Sequence, residues 1–98
     1  MRRARLQFAG RASRDLGRLA EFLFEQAPDA AGETADLIVD GLQILKTHPN
    51  IGRPIQGGLR ELMISRGKTG YIALYRYDEI RDAVRVLAIR HQREIGKL

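Results

Sequence analysis

Residues 70–93 read GYIALYRYDEIRDAVRVLAIRHQR and predict two long β-strands joined by a turn. Aliphatic and aromatic residues dominate both halves of this stretch, which is typical of strands in a sheet. The predicted strands cover residues 71–77 and 83–90, and residues 78–82 form the turn between them. The second strand is apolar on both faces, which is typical of a central strand covered on two sides.

Two further strands are predicted on the N-terminal side of this pair. Residues 59–66 form a strand that a hairpin turn, Gly67-Lys68-Thr69-Gly70, joins to the next one. Residues 3–9 alternate between apolar and polar side chains, which predicts a half-buried strand that ends at Gly10.

Two amphipathic helices lie between the first strand and the others. Ser13 is the predicted N-cap of the first helix, with Asp15 in the first turn where an anion suits the helix dipole. This helix ends near residues 25–27. Proline is tolerated at the first position of a helix, so Pro28 opens the second, which ends near Thr47. Apolar residues recur three or four positions apart in both, and the two helices form a hairpin.

The order of elements predicts an α+β fold in one domain over residues 1–98. An N-terminal strand and a helical hairpin precede a three-stranded antiparallel sheet, which is a βααβββ order. The helices pack on one face of a curved, mainly antiparallel sheet. The opposite face or its edge is expected to expose Arg60, Arg76 and Arg90.

The charges are unevenly distributed along the chain. The net charge is +5, and fourteen of the seventeen basic residues are arginine. Residues 1–14 carry five arginines and no acid, residues 15–45 have a net charge of −6, and residues 46–98 have a net charge of +6. The two basic ends predict an acidic partner, and arginine favours fixed, bidentate contacts.

Several classes of protein are excluded by the composition. Without cysteine there is no disulfide, thiolate metal site or cysteine nucleophile. The two histidines, His48 and His91, are far apart, and no metal-ligand spacing is visible, so we expect neither a metal nor another cofactor. No apolar run is long enough to span a membrane, and the N-terminus does not resemble a signal peptide. A cytoplasmic location is therefore expected.

The arginines on the predicted strands form the first candidate site. Arg60, Arg76 and Arg90 carry forked donors that suit phosphate or carboxylate groups. RNA cleavage needs a base, an acid and a cation that stabilises the transition state. Arginine can be the cation and His91 can transfer one proton, but no second proton-transfer group is evident. Two interpretations stay open: a nuclease site that lacks a partner, and a cationic surface that binds the acidic patch of another protein.

The tyrosines of one strand and the loop before the sheet are weaker candidates. Tyr71, Tyr75 and Tyr77 share a strand face and can stack bases beside Arg76, although such a stripe more often packs in a core. The core interpretation is favoured. The loop of residues 49–58 is rich in glycine and proline but matches no phosphate-binding spacing, so its expected role is to turn the chain.

Over nearly its full length, the chain resembles toxins of the RelE/ParE superfamily of type II toxin–antitoxin systems. The resemblance rests on six motifs that occur in a fairly specific order and spacing: Ala12-x-x-Asp15-Leu16, Ala27-Pro28, Leu45 with Pro49-x-x-Gly52-Arg53, Leu59-Arg60-Glu61-Leu62, Tyr71-x-x-x-Tyr75-Arg76, and Val86-Leu87-Ala88-Ile89-Arg90-His91-Gln92-Arg93. The fold that the resemblance implies agrees with the one predicted from periodicity.

The superfamily has two branches with different mechanisms. The resemblance implies either a RelE-like, ribosome-dependent mRNA endonuclease or a ParE-like inhibitor of DNA gyrase. The nuclease branch usually has lysines or a glutamate near the loop, and a tyrosine or a histidine–tyrosine pair near the C-terminus. This chain has His91 but lacks the rest. Together with Pro49-x-x-Gly52-Arg53, this departure favours the ParE-like branch, and no catalytic residue is assigned. In the alternative, the nuclease residues would be Arg60, Arg90 and His91.

The resemblance also implies partners. The first is a cognate antitoxin, expected to be acidic and of the ribbon-helix-helix type, in a hetero-oligomer that reaches operator DNA only through the antitoxin. DNA gyrase is the expected target, and the ribosome with mRNA is the alternative. The predicted residues that bind target or antitoxin are Arg60, Arg76, Arg90, His91 and Arg93, and those that line the antitoxin groove are Leu16, Leu23, Ile38 and Leu42.

Overall fold

A mixed five-stranded sheet forms one layer of the computed structural model, which describes residues 3–26, 28–66 and 69–91. Two helices form the other layer. In chain order the elements are β1 (Arg5–Phe8), α1 (Gly10–Gln26), α2 (Pro28–Thr47), β2 (Arg53–Pro54), β3 (Arg60–Arg66), β4 (Thr69–Asp78) and β5 (Ala83–His91), with a short 3-10 turn at Gln56–Gly58. The strands are ordered β1-β5-β4-β3-β2 across the sheet.

The predicted strand pair of residues 70–93 decides this layout. β4 and β5 are antiparallel, with Tyr71 opposite His91 and Asp78 opposite Ala83, and the pairing is irregular between Leu74 and Tyr75. β5 lies inside the sheet, between β1 and β4, as predicted, but within the described residues the helices cover only one of its two faces. β4 begins two residues earlier than predicted, and Gly67 and Lys68 of the predicted hairpin turn lie outside the described residues.

The prediction of a three-stranded antiparallel sheet is correct for β3, β4 and β5 but incomplete. β1 joins the sheet as a parallel neighbour of β5, with Arg5 opposite Ala83. β2 adds a two-residue edge strand antiparallel to β3, in which Arg53 lies opposite Glu61. Two residues are too few to show alternation, and proline is confined to edge positions in sheets, so the sequence pattern did not indicate β2.

The helices begin and end close to the predicted positions, with one correction. α1 begins at Gly10, and the backbone N–H of Ser13 donates to the carbonyl of Ala9 at 3.1 Å. Ser13 therefore lies inside the first turn, and its predicted role as the N-cap is wrong. α2 begins at Pro28 and ends at Thr47, as predicted. Neither helix is long and apolar enough to cross a membrane, judged over the described residues.

The core lies between the helices and one face of the sheet. Alternation along the strands brings Tyr71, Ala73 and Tyr75 of β4 to this face, and the helices contribute one apolar stripe each. The fully buried members are Ala12, Leu42, Leu45, Ala73, Tyr75, Val84, Val86 and Ile89. The other face of the sheet has no helix packed on it within the described residues, and this leaves its outward side chains open to a ligand.

Candidate functional site

Arg60, the first residue of β3, binds the loop that follows α2. Its Nη1 donates to the carbonyl oxygens of Asn50 at 3.0 Å and Gly52 at 2.8 Å. The side chain is half-buried, so the prediction that it would be exposed is not confirmed. One end of the guanidinium therefore holds the loop, and only its remaining N–H groups can reach a ligand.

The same loop is also held by a tyrosine of β4. The backbone N–H of Gly52 donates to the Oη of Tyr75 at 2.8 Å. The loop approaches so closely that a Cβ on Gly52 would lie 2.6 Å from the Oη and Cε1 atoms of Tyr75. Glycine is therefore required here because a side chain would have no space. Its backbone φ angle is not in the left-handed region, so the backbone conformation does not itself require glycine.

The three tyrosines belong mainly to the core, which confirms the favoured interpretation. Tyr71 and Tyr75 are buried, and Tyr77 is partly buried and donates to the Oδ1 of Asp82 at 2.7 Å. Burial raises the pKa of both Tyr71 and Tyr75 above its ordinary value. At Tyr75 the Gly52 hydrogen bond and the charge of Arg60 oppose this increase. The rings of Tyr71 and Tyr75 are therefore not available to stack bases.

The buried tyrosines predict a loss of stability in alkaline solution. Because their pKa values are raised in the folded protein, these two tyrosines should leave the free energy of unfolding unchanged up to about pH 9. It should then fall as the pH rises through the folded-state values of Tyr71 and Tyr75, because only the unfolded chain ionises freely. Urea unfolding at a series of pH values measures this, and a Tyr71→Phe variant should lose less stability than the wild type. A free energy of unfolding that stays level far above pH 10 would contradict the prediction.

Beyond the end of β1, the Asp15 carboxylate of α1 lies beside β5 and accepts a hydrogen bond from its backbone. The pairing of β1 with β5 reaches only Val86. Further along β5, the backbone N–H of Ile89 donates to the Oδ2 of Asp15 at 3.0 Å, and the Nη1 of Arg90 donates to its Oδ1 at 2.8 Å. Asp15 is only 6% exposed. We call this arrangement the Asp15 bridge.

The role of Asp15 was missed at the sequence level, although a signal was present. Asp15 was assigned to the helix dipole, whereas it neutralises Arg90 and satisfies a backbone donor of the sheet. Ala12, Leu16 and Leu19 are the apolar residues at helical spacing around it. An acid at the centre of an apolar stripe needs a partner when it is buried, and that rule points to an arginine elsewhere in the chain.

The residues of the nuclease alternative are not brought together. Arg60 lies opposite Tyr75 on β4, whereas Arg90 and His91 lie opposite Ile72 and Tyr71. Arg60 is therefore offset from Arg90 and His91 by three and four residues along the strands, roughly 10–14 Å, and β4 lies between them. Arg90 is also half-buried in the Asp15 bridge, so the prediction that it would be exposed is not confirmed.

His91 packs against the core at the far end of β5. Its ring meets that of Tyr71 edge to face, with centroids 5.1 Å apart and planes at 89°. The side chain is partly buried. Arg93, the other predicted binding residue of this segment, lies outside the described residues.

Arg76 is exposed, as predicted. It lies on the face of the sheet away from the helices, because its neighbours in β4, Tyr75 and Tyr77, pack towards the core. Arg85 of β5 lies directly opposite it and is exposed as well. Among the strand arginines singled out from the sequence, Arg76 is the one whose whole guanidinium is available to a partner.

The predicted antitoxin-groove residues require a correction. Ile38 is 2% exposed and Leu42 is fully buried, because both face the sheet and form part of the core. Leu16 is partly buried against the same core, and the side chain of Leu23 lies outside the described residues. Among the side chains of α2 that the structure describes, the large apolar ones open to a partner are instead Val39 and Ile44, which are 45% and 39% exposed.

No group of three or more histidine, aspartate and glutamate side chains is placed to hold a metal ion, within the part of the chain that the structure describes. Asp15 is the acidic side chain found buried there, and its oxygens bind Arg90 and Ile89. The described arrangement is therefore a set of arginines that are organised by backbone and carboxylate contacts.

Comparison with known proteins identifies the family to which this arrangement belongs. Residues 6–96 match the model of a family described as the ParE toxin of the type II toxin–antitoxin system parDE. Toxin RelE3 of Caulobacter vibrioides is 38% identical over 89 residues, which are 91% of this chain and 95% of the relative. Toxin RelE1 of the same organism is 36% identical over 66 residues, which are 67% of this chain and 71% of the relative. The chain therefore belongs to the ParE toxin family of type II toxin–antitoxin systems, within the RelE/ParE superfamily.

Solved structures show the same fold. The chromosomal ParDE system of P. aeruginosa contains a chain with a TM-score of 0.74 and 22% identity, and the match covers 90% of this chain and 95% of that one. The toxin–antitoxin complex RelBE2 of Mycobacterium tuberculosis gives a TM-score of 0.63 and 24% identity, and it covers 94% of each chain. Both ParE and RelE names occur among these relatives, so family membership alone does not select the target.

Proposed function

We propose that this toxin acts in the ParE manner, by inhibiting DNA gyrase, and that direct binding of a cognate antitoxin neutralises it. The separation of Arg60 from Arg90 and His91 is the observation that carries this proposal. A nuclease needs a cation and proton-transfer groups within hydrogen-bond reach of one phosphodiester. Among the described residues Arg60 lies roughly 10–14 Å along the sheet from Arg90 and His91, and Asp15 already neutralises Arg90. Binding to a protein target needs no such convergence.

An acidic and apolar antitoxin segment fits two surfaces of the chain. The solved relatives include a ParDE system and a RelBE2 toxin–antitoxin complex, which supports a cognate antitoxin as the partner here. On α2, Val39 and Ile44 offer exposed apolar side chains. Arg76 offers an exposed cation on the sheet. A disordered segment that folds as it binds can reach both surfaces.

Expression of the chain in bacteria, with and without the gene beside it, tests the target directly. Inhibition of gyrase should produce broken DNA and an SOS response while translation continues, and co-expression of the neighbouring antitoxin should restore growth. Rapid loss of mRNA with gyrase unaffected would contradict this function.

A histidine substitution distinguishes the two branches in the same cells. If the chain cleaved mRNA on ribosomes, His91→Ala should abolish cleavage, whereas His48→Ala, the matched change at the exposed histidine after α2, should not. For a gyrase inhibitor, transcripts should remain intact with the wild type and with both variants.

A further inference from the structure

Four arginines meet on the face of the sheet away from the helices, near the turn between β4 and β5. Arg5 comes from β1, Arg85 from β5, Arg76 from β4 and Arg81 from the turn. With Gln7, Asp78 and Ala83 they line a groove of about 270 Å³. We call it the arginine groove. The sequence had drawn attention to Arg76 alone among these residues.

Three of the four positive charges in the arginine groove lack an acidic partner. Arg81 is paired with Asp78, since its Nη1 donates to Oδ2 at 3.0 Å and its backbone N–H donates to Oδ1 at 3.1 Å. Arg76 and Arg85 have no hydrogen bond or ion pair within the described part of the chain, and Arg5 reaches only the carbonyl of Arg81, at 3.5 Å. The groove therefore presents about three free positive charges.

The positions of these arginines are set by the register of the sheet. Arg85 lies directly opposite Arg76 on one side and opposite Gln7 on the other. Like charges that face each other across two strands are destabilising. An anion bound between them would remove this repulsion, and the rigid strands hold the guanidinium groups in place before the anion arrives.

The lining of the arginine groove favours double-helical DNA over the other polyanions. Ala83 is the sole apolar residue among the described residues that line it, whereas protein partners are usually held by buried aromatic and aliphatic side chains. No aromatic ring lines it within the described part of the chain, and single-stranded nucleic acids are usually held by stacking on such rings. Tyr77, the nearest one in β4, packs towards the core. Contacts to duplex phosphates require only fixed cations.

We propose that the arginine groove binds the phosphate backbone of double-helical DNA directly and without sequence preference. This contact is separate from the choice between gyrase and ribosome, and it differs from the expectation that DNA is reached only through the antitoxin. Arg5, Arg76 and Arg85 would each neutralise one phosphate. Arg81 would contribute less, because Asp78 already balances its charge.

Fluorescence anisotropy of the full chain with a labelled duplex of arbitrary sequence tests this binding. Three neutralised phosphates give an affinity that falls about 40-fold between about 50 and 200 mM salt. For the double variant Arg76→Gln/Arg85→Gln the fall should be only about 3- to 4-fold, together with weaker binding at low salt. The double variant Arg11→Gln/Arg14→Gln is the matched control, because it removes the same charge from exposed positions on α1.

The α1 control variant and the competing ligands show whether binding depends on the arginine groove. Removal of the repulsion between Arg76 and Arg85 should leave the thermal unfolding temperature unchanged or higher, so loss of binding by that variant cannot be ascribed to unfolding. An equal loss of salt dependence in the α1 control would overturn the proposal, since binding would then reflect net charge alone. Tighter binding of a single strand or of a polyglutamate peptide than of the duplex would overturn it as well.

Discussion

Replacement of Asp15 by alanine should lower the free energy of unfolding by about 3 kcal/mol, because loss of one member of a largely buried ion pair leaves the other charge without compensation. Arg90 would lose its carboxylate partner and the N–H of Ile89 would lose its acceptor. The Arg90 side chain is 22% exposed, and this access to water places the expected cost at the lower end for such pairs. Urea unfolding followed by circular dichroism measures the change.

A change elsewhere in the helices provides the control for Asp15. Asp36 is exposed on α2, so Asp36→Ala removes the same charge and should change stability by less than about 0.5 kcal/mol. The double variant Asp15→Ala/Arg90→Ala should be at least about 1 kcal/mol more stable than the sum of the two single changes predicts, because the two side chains interact directly. Additive effects would show that the Asp15 bridge contributes little.

Replacement of Gly52 by alanine should be about as damaging, for a steric reason. The added methyl group would lie 2.6 Å from the Tyr75 ring and 2.8 Å from the carbonyl oxygen of Glu61. Relief of this clash must displace the loop or the buried ring, which costs about 1–3 kcal/mol. Displacement would also break the buried hydrogen bond from Gly52 to Tyr75, at a cost of about 1–3 kcal/mol more. A total loss of about 2–6 kcal/mol in the free energy of unfolding is expected.

Gly17→Ala is the matched control for this clash. A Cβ at Gly17 meets no atom within 4 Å, and the residue lies inside α1. Alanine is preferred over glycine in a helix by about 1 kcal/mol, so this variant should be more stable than the wild type. If Gly52→Ala unfolded at the same urea concentration as the wild type, the loop would not be packed against Tyr75 as described.

The Gly52→Ala variant also bears on function, since the Gly52 loop contacts Arg60 through two carbonyl groups. Its displacement would release the Nη1 of Arg60. A variant that stays folded but changes in target or antitoxin binding would connect this arginine to recognition.

Local patterns were sufficient to predict the helices and most of the sheet. Helical spacing located α2 from Pro28 to Thr47, and alternation placed Tyr71 and Tyr75 on the core face of β4. The two apolar faces of β5 indicated an interior strand. Such patterns report whether a side chain is buried, and therefore they are informative wherever one face of an element meets the core.

The same patterns were insufficient for the candidate site. They selected Arg60, Arg76 and Arg90 alike as exposed cations, but the structure gives Arg60 and Arg90 partners within the chain. They could not indicate that Arg5, Arg81 and Arg85 lie beside Arg76. The alternation that places an arginine on an outward face does not say which strand lies next to it.

The sequence by itself determined the order of the elements, the apolar faces that form the core, and membership of a toxin family with a basic sheet. Only the tertiary structure decided that β1 runs parallel to β5, that Asp15 neutralises Arg90 some 75 positions away, and that four arginines surround one groove. Periodicity is a property of neighbouring residues, whereas these contacts depend on how the chain returns to the sheet after the two helices. That return places β1 and the start of α1 beside β5. As a result, Arg5 of β1 joins the arginine groove, and Asp15 of α1 reaches Arg90.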